Sequence, residues 1–116
     1  MTYLDASIIV AILGRENDRE TLLERLATSA PPFIVSPPGL FEAVLSLASK
    51  KARETDVALD AELISLAETS VAQFLADIGS KEIAITPDIG RMAIEAAKRY
   101  GRAVGSPAAL NFGDCF

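Results

Sequence analysis

The chain has 116 residues, room for one domain, and half of them are hydrophobic, so it can bury a core. It contains no histidine, which excludes serine–histidine–aspartate triads, histidine zinc sites and imidazole acid–base chemistry. The net charge of −5 counts against nucleic-acid binding through overall charge alone, although an acidic site can attract phosphate once it has bound a metal.

The cellular compartment is indicated by the single cysteine, Cys115, which rules out an intramolecular disulfide and makes the cytoplasm the expected location. Cys115 is expected to be a small core residue, because no base is available to activate its thiol. No apolar run reaches the roughly 18 residues of a membrane span, and the N-terminus lacks the basic start of a signal peptide.

The first half of the chain predicts alternating strands and helices. In chain order these are a strand, two helices and a second strand, at Thr2–Leu4, Ala6–Leu13, Asp18–Ala27 and Phe33–Val35. A third helix follows, whose apolar stripe lies within Leu40–Ala48. Gly14 ends the first helix, and the Pro31–Pro32 pair breaks the chain before the second strand. Ser36 followed by Pro37 is typical of an N-cap and first helical position, so the third helix begins there.

The second half predicts a charged connection over Lys50–Asp56 and then a long amphipathic helix that stops at Gly79. The apolar stripe of this helix is Leu59, Leu63, Leu66, Ser70, Phe74 and Ile78. A third strand over Glu82–Ile85 precedes a helix that opens at Thr86–Pro87. The inward residues of that helix are expected to be Ile89, Met92, Ala93, Ala96, Ala97 and Tyr100. A loop over Gly101–Pro107 leads to a last helix capped by Asn111. Strands that alternate with helices predict an α/β fold with a parallel sheet and helices on both faces.

Ligands of such sheets gather at the carboxyl ends of the strands, which makes Asp5 a candidate site residue. Aspartate is also a favoured N-cap, so Asp5 can cap the helix that starts at Ala6, bind a metal, or do both. Ser7, two residues on, places a hydroxyl where it can bond to Asp5 or to a metal-bound water. The alternative is that Ser7 bonds only to its own helical turn.

Glu42 and Asp114 are the other two candidate acids. Glu42 is the only charge between Val35 and Lys50, and a carboxylate isolated among apolar residues needs a partner if it is buried. A solvated glutamate near a helix N-terminus is the alternative. Asp114 follows Asn111 by three residues, which is also typical of a capping box.

An aspartate at the end of the first strand also occurs in haloacid-dehalogenase-type phosphatases and in response regulators. The phosphatase pattern has a second aspartate two residues later, where this chain has Ser7. The response-regulator pattern has an acidic pair after the first strand and an aspartate after the third, and neither is present. A small-molecule phosphohydrolase therefore ranks below the other interpretations.

Three segments together resemble a known family. Leu4–Leu13 resembles the opening strand and helix of PIN domains, and Val35–Ala43 resembles the segment that carries the family's glutamate. Ser106–Phe116, which reads Ser-Pro-Ala-Ala-Leu-Asn-Phe-Gly-Asp-Cys-Phe, is similar to the signature of the VapC toxin branch. The resemblance covers the whole chain in order and spacing.

The resemblance implies a three-layer α/β/α fold and an endoribonuclease that depends on Mg²⁺ or Mn²⁺ and cleaves tRNA or ribosomal RNA. It also implies a homodimer, a cognate VapB-type antitoxin and the cytoplasm. Asp5, Glu42 and Asp114 correspond to the metal-binding acids. Ser7 corresponds to the hydroxyl beside them, and Asn111 to the residue that supports the last acid.

The chain departs from the family pattern at two points. Ser106 stands where the family usually has histidine, and the family continues beyond Phe116 with the rest of the last helix, a strand and a fourth acidic position. The expectation is therefore one PIN domain over residues 1–116 that lacks its C-terminal part. The alternative function is an inactive domain that only binds antitoxin or dimerises.

The basic side chains near the loops have two interpretations. They can contact the RNA backbone, or they can form solvated surface and dimer contacts, and the second is favoured. These residues are Lys50, Lys51, Arg53, Lys98, Arg99 and Arg102.

Overall fold

The computed structural model describes residues 1–100, without the side chains of Ala93, Ala96, Ala97, Arg99 and Tyr100. Within this range the chain forms three strands and five helices. In order they are β1 (Thr2–Tyr3), α1 (Ala6–Leu13), α2 (Arg19–Thr28), β2 (Phe33–Val35), α3 (Pro37–Thr55), α4 (Ala61–Asp77), β3 (Lys81–Glu82) and α5 (Pro87–Tyr100). The predicted loop at Gly101–Pro107, the last helix and the predicted inward side chains of Ala93, Ala96, Ala97 and Tyr100 lie outside the described residues.

The strands form a parallel sheet in the order β1-β2-β3. Tyr3 pairs with Ile34, and Val35 pairs with Glu82. Beyond these pairs, the Leu4 amide donates to the Ile34 carbonyl at 2.9 Å. Since all three strands run in one direction, their carboxyl ends meet at one edge of the sheet. The α/β fold with a parallel sheet that the sequence predicts is confirmed.

The core lies between one face of the sheet and helices α1, α3 and α4. Leu4 and Val35 supply its sheet side, and small residues dominate its helical side. Its fully or nearly buried members are Leu4, Ala6, Ile9, Val35, Ala43, Val44, Leu47, Ala48, Ala67, Val71 and Leu75. Ile34 points to the opposite face by strand alternation and is also buried. Along residues 1–100, no helix combines the length and apolar character needed to cross a membrane.

Four of the described helices begin at side-chain caps, and at the start of α5 the Thr86 hydroxyl accepts a hydrogen bond from the Ile89 amide at 3.3 Å. The Asp5 carboxylate accepts a hydrogen bond from the Ile8 amide, the Ser36 hydroxyl from the Gly39 amide, and the Asp60 carboxylate from the Leu63 amide. Each cap satisfies one of the amides that an α-helix leaves unpaired at its start. The predicted start of α3, with Ser36 as the cap and Pro37 at the first helical position, is confirmed.

The predicted charged connection over Lys50–Asp56 is wrong, because α3 continues to Thr55 and ends at Asp56 in the left-handed conformation. Ala48 and Ala52 extend the buried face of the helix, while the charged residues lie on its outer face. Lys50 and Glu54 form an ion pair at 3.9 Å with helical i,i+4 spacing. The charged segment is therefore the solvated side of a long helix.

The predicted apolar stripe of α4 is rotated relative to the buried one. Leu66 is 60% exposed, whereas Ala67, Val71 and Leu75 are buried in the core. Phe74 and Ile78 of the predicted stripe are partly buried and pack against that core. The helix begins at Ala61, so Leu59 precedes it and is exposed. Small residues on the facing surfaces of α3 and α4 let the two helices approach closely, which selects this face.

The third strand is shorter than its prediction over Glu82–Ile85, since β3 comprises Lys81 and Glu82. The Ile83 amide still donates to the Val35 carbonyl at 2.9 Å. Ile85 is exposed, so its apolar side chain does not contribute to the core as a strand residue would. The next helix begins at Pro87, as the sequence predicts, and buries Ile89.

Candidate active site

Asp5 lies where the chain leaves β1 and enters α1, at the carboxyl edge of the sheet. The residue is only 4% exposed. The Oδ1 atom accepts hydrogen bonds from the Ser7 hydroxyl at 2.5 Å and from the Ile8 amide at 3.2 Å. The short contact with Ser7 is typical of a hydroxyl that donates to an ionised carboxylate. Asp5 therefore caps α1 and also has the hydroxyl partner that the sequence suggests.

The local sequence explains why a carboxylate is buried here. Leu4 is almost fully buried in the core, so it fixes the end of the strand and leaves the next residue at the sheet edge. Asp5 has extended backbone angles, after which Ala6 starts the helix. The first amides of α1 face the carboxylate, and the helix dipole favours a negative charge at this end.

A groove of about 230 Å³ lies beside Asp5 between β1, α1 and α2. Its lining combines apolar side chains with polar ones, including Ile8, Ala11, Leu22, Leu26, Asp5, Ser7, Glu16, Asp18 and Arg25. Among the charged residues of this lining, Arg25 is the cation and the other three are acids. The groove gives Asp5 access to molecules in solution although the residue itself is buried.

Glu42 lies six residues after the Ser36 cap, in the second turn of α3, and its side chain is half-buried. Because α3 starts at the carboxyl end of β2, Glu42 and Asp5 are carried by elements that leave the same edge of the sheet. Two of the predicted site residues, Asp114 and Asn111, lie outside the described residues. Among residues 1–100, no three acidic or cysteine side chains are grouped so that they could hold a metal ion.

One contact at this edge was not anticipated from the sequence. The Tyr3 phenol oxygen lies 2.8 Å from the Ser36 hydroxyl oxygen, and Ser36 is fully buried. The available signal was the position of Tyr3, two residues before Asp5 on an extended strand. A buried tyrosine hydroxyl usually has a hydrogen-bond partner.

Two of the basic residues considered for RNA contact form ion pairs on the protein itself. The Lys50 Nζ atom lies 3.5 Å from Oε2 of Glu16 and 3.9 Å from Oε1 of Glu54. The pair with Glu16 links α3 to the turn that follows α1. Lys98 lies 3.2 Å from Glu95. These pairs support the favoured interpretation of Lys50 and Lys98 as surface residues. The side chain of Arg99 and all of Arg102 lie outside the described residues.

The fold and this edge define an α/β domain with a parallel sheet and a buried aspartate at the carboxyl end of its first strand. A family model described as PIN domain matches residues 2–116. A VapC ribonuclease of Rhizobium meliloti (strain 1021) is 39% identical over 117 residues, covering 100% of this chain and 82% of that protein.

Two proteins of Mycobacterium tuberculosis (strain ATCC 25618 / H37Rv) are also similar to the chain. Ribonuclease VapC42 is 31% identical, covering 97% of this chain and 76% of that protein. Ribonuclease VapC28 is 35% identical, covering 97% of this chain and 74% of that protein. The chain therefore belongs to the PIN-domain family and to its VapC branch, which confirms the resemblance found in the sequence.

Proposed function

We propose that the chain is a toxin-type endoribonuclease that hydrolyses RNA phosphodiester bonds with the help of carboxylate-bound Mg²⁺ or Mn²⁺. The observation that carries the proposal is the buried Asp5 carboxylate, held by the Ser7 hydroxyl beside an accessible groove. The names of the relatives, which are VapC ribonucleases, support the reaction class.

The donor set favours a hard divalent cation. Asp5, Glu42 and Asp114 would hold the ion through carboxylate oxygens, which are the ligands that Mg²⁺ prefers. The chain has no histidine, so its acid–base chemistry has to come from other groups. When bound, a divalent ion supplies an activated water and stabilises negative charge on the phosphate.

The chain's own residues orient this set. The Ser7 hydroxyl and the Ile8 amide both donate to Oδ1 of Asp5, so they fix the rotation of the carboxylate before any ion arrives. Asn111 would support Asp114 in the same way. Arg25 provides a positive charge in the groove that can contact the RNA backbone, which matters because the overall charge of −5 repels RNA.

The proposal extends to partners and compartment. The RNA substrate is of the tRNA or ribosomal class, and a VapB-type antitoxin and a second copy of the chain are the protein partners. The proposed compartment is the cytoplasm. The alternative function is a module of the same family that binds antitoxin or dimerises without cleaving RNA.

The test is an incubation of the 116-residue chain with total tRNA, or with ribosomal RNA, in Mg²⁺, in Mn²⁺ and in excess EDTA. RNA fragments that form only with the metal ions are expected. Cleavage that persists in EDTA contradicts the metal mechanism. An intact RNA together with retained antitoxin binding favours the interaction module, and turnover of a chromogenic phosphomonoester without RNA cleavage favours a phosphohydrolase.

A further inference from the structure

The hydrogen bond between Tyr3 and Ser36 joins the two elements that carry Asp5 and Glu42. Its oxygen atoms are 2.8 Å apart, and it runs from β1 to the residue that caps α3. The backbone pairing of β1 with β2 is only two residue pairs long. The side-chain bond therefore extends the connection between these elements towards the sheet edge where Asp5 lies.

Each end of this bond is close in sequence to a proposed metal ligand. Tyr3 and Asp5 are alternate residues of an extended segment, so their side chains leave the same face. On the other side, Ser36 starts the helix that carries Glu42, about 9 Å further along the helix axis at 1.5 Å per residue. A tilt of about 10° at Ser36 would displace Glu42 by about 1.6 Å over that length.

Such a displacement matters for a metal site and much less for the core. Mg²⁺ requires ligand distances close to about 2.0–2.1 Å and a nearly ideal octahedral arrangement. The core does not require the tyrosine oxygen, because a phenylalanine ring fills nearly the same volume. The cap does not require it either, because Ser36 already accepts a hydrogen bond from the Gly39 amide at 3.3 Å.

We propose that Tyr3 and Ser36 are positioning residues, whose hydrogen bond fixes the start of α3 against β1 and thereby sets the placement of Glu42 relative to Asp5. The inference rests on the proposed function, since the placement matters through the divalent ion. Neither residue touches the ion or the RNA in this role.

The experiment compares Tyr3→Phe with Thr69→Val in the full chain. Both substitutions remove one hydroxyl, but the exposed Thr69 hydroxyl donates to the Ser65 carbonyl at 3.1 Å within α4 and does not line the groove beside Asp5. Mn²⁺ affinity is measured by the loss of the free-ion electron paramagnetic resonance signal. The cleavage constants kcat and KM are measured on RNA, and hydrogen exchange of the Gly39 amide reports the start of α3 without any metal.

Tyr3→Phe is expected to weaken Mn²⁺ binding by about 3- to 10-fold. Loss of a hydrogen-bond partner of a metal ligand weakens metal binding by about 10- to 100-fold, and a residue that acts less directly should have a smaller effect. It is also expected to lower kcat with little change in KM, to recover activity at high Mn²⁺, and to speed exchange at Gly39. Thr69→Val should leave all four quantities within about twofold of wild type, as expected for a change away from the site.

A second variant keeps the inference falsifiable if folding is affected. If the two hydroxyls act through one bond, Tyr3→Phe combined with Ser36→Ala binds Mn²⁺ no more weakly than Ser36→Ala alone. Independent, multiplying effects would contradict the pairing. If the wild-type chain binds Mn²⁺ and Tyr3→Phe binds it with the same affinity, the positioning role is overturned and the proposed function is not. A wild-type chain that neither binds Mn²⁺ nor cleaves RNA would overturn the proposed function itself.

Discussion

Replacing Asp5 with asparagine separates its two roles, as a helix cap and as a proposed metal ligand. Asparagine caps helices about as well as aspartate, so the hydrogen bond from the Ile8 amide can persist. The negative charge that a divalent cation requires is lost. Asp60→Asn is the matched control, because Asp60 caps α4 through a 2.9 Å bond from the Leu63 amide, and α4 follows α3 and not the carboxyl end of a strand.

The expected cost in stability is small, because two effects oppose each other. The Ser7 bond to an ionised oxygen becomes a bond to a neutral amide, which loses about 1 kcal/mol. The variant no longer buries a charge that is 4% exposed, and this relieves a desolvation cost of similar size. The free energy of unfolding should therefore change by less than about 1 kcal/mol, while RNA cleavage falls by at least about 100-fold.

The assay measures initial rates on end-labelled RNA over a range of Mg²⁺ concentrations, with urea unfolding of each variant in parallel. Asp60→Asn is expected to cleave as wild type does, and Asp5→Asn to be folded but inactive. Equal cleavage by Asp5→Asn and wild type would refute the carboxylate mechanism. An Asp5→Asn variant that is unfolded would instead show that the residue is structural.

Four further substitutions test the packing and the site. Ser7→Ala removes the hydroxyl that donates to Asp5 and should weaken Mn²⁺ binding about 10-fold by calorimetry. An unchanged affinity would mean that the Ser7 hydroxyl does not orient a metal ligand. Val71 is buried and Leu66 is exposed on α4, so Val71→Ala should lower the free energy of unfolding by about 1–3 kcal/mol and Leu66→Ala by less than about 0.5 kcal/mol. Urea unfolding that shows the larger loss for Leu66→Ala would contradict the buried face of α4. Gly14→Ala would place a Cβ 2.7 Å from a backbone carbonyl oxygen, so a loss of about 1–3 kcal/mol is expected; a neutral thermal unfolding result would contradict this contact.

Much of the first half of the fold could be predicted because its signals are local. Ser36 and Pro37 define a helix start through capping chemistry, and Phe33–Val35 is bounded by Pro32 and Ser36. Asp5 was identifiable because a strand end and a helix cap coincide in one residue. These signals depend on a few neighbouring residues and not on tertiary contacts.

The misassigned features depend on contacts that are distant in sequence. Lys50–Thr55 reads as a connection because it is charged, yet α3 needs only Ala48 and Ala52 on its inner face to continue. In α4, the sequence is compatible with two buried faces, one rich in leucine and one that contains Ala67 and Val71. The close approach of α3 selects the stripe with the smaller side chains. The Tyr3–Ser36 bond is likewise set by the pairing of β1 with β2.

The most direct test of the central claim asks whether Glu42 acts together with Asp5 on a divalent ion. Mn²⁺ binding, followed by the free-ion electron paramagnetic resonance signal, is compared in wild type, Asp5→Asn, Glu42→Gln and Glu62→Gln. Glu62 is the control because it is also a glutamate near the start of a helix, in the first turn of α4, and is not a proposed metal ligand. Binding is expected in wild type and Glu62→Gln and to be lost in the other two variants. Wild-type affinity in Glu42→Gln would contradict the proposed metal site.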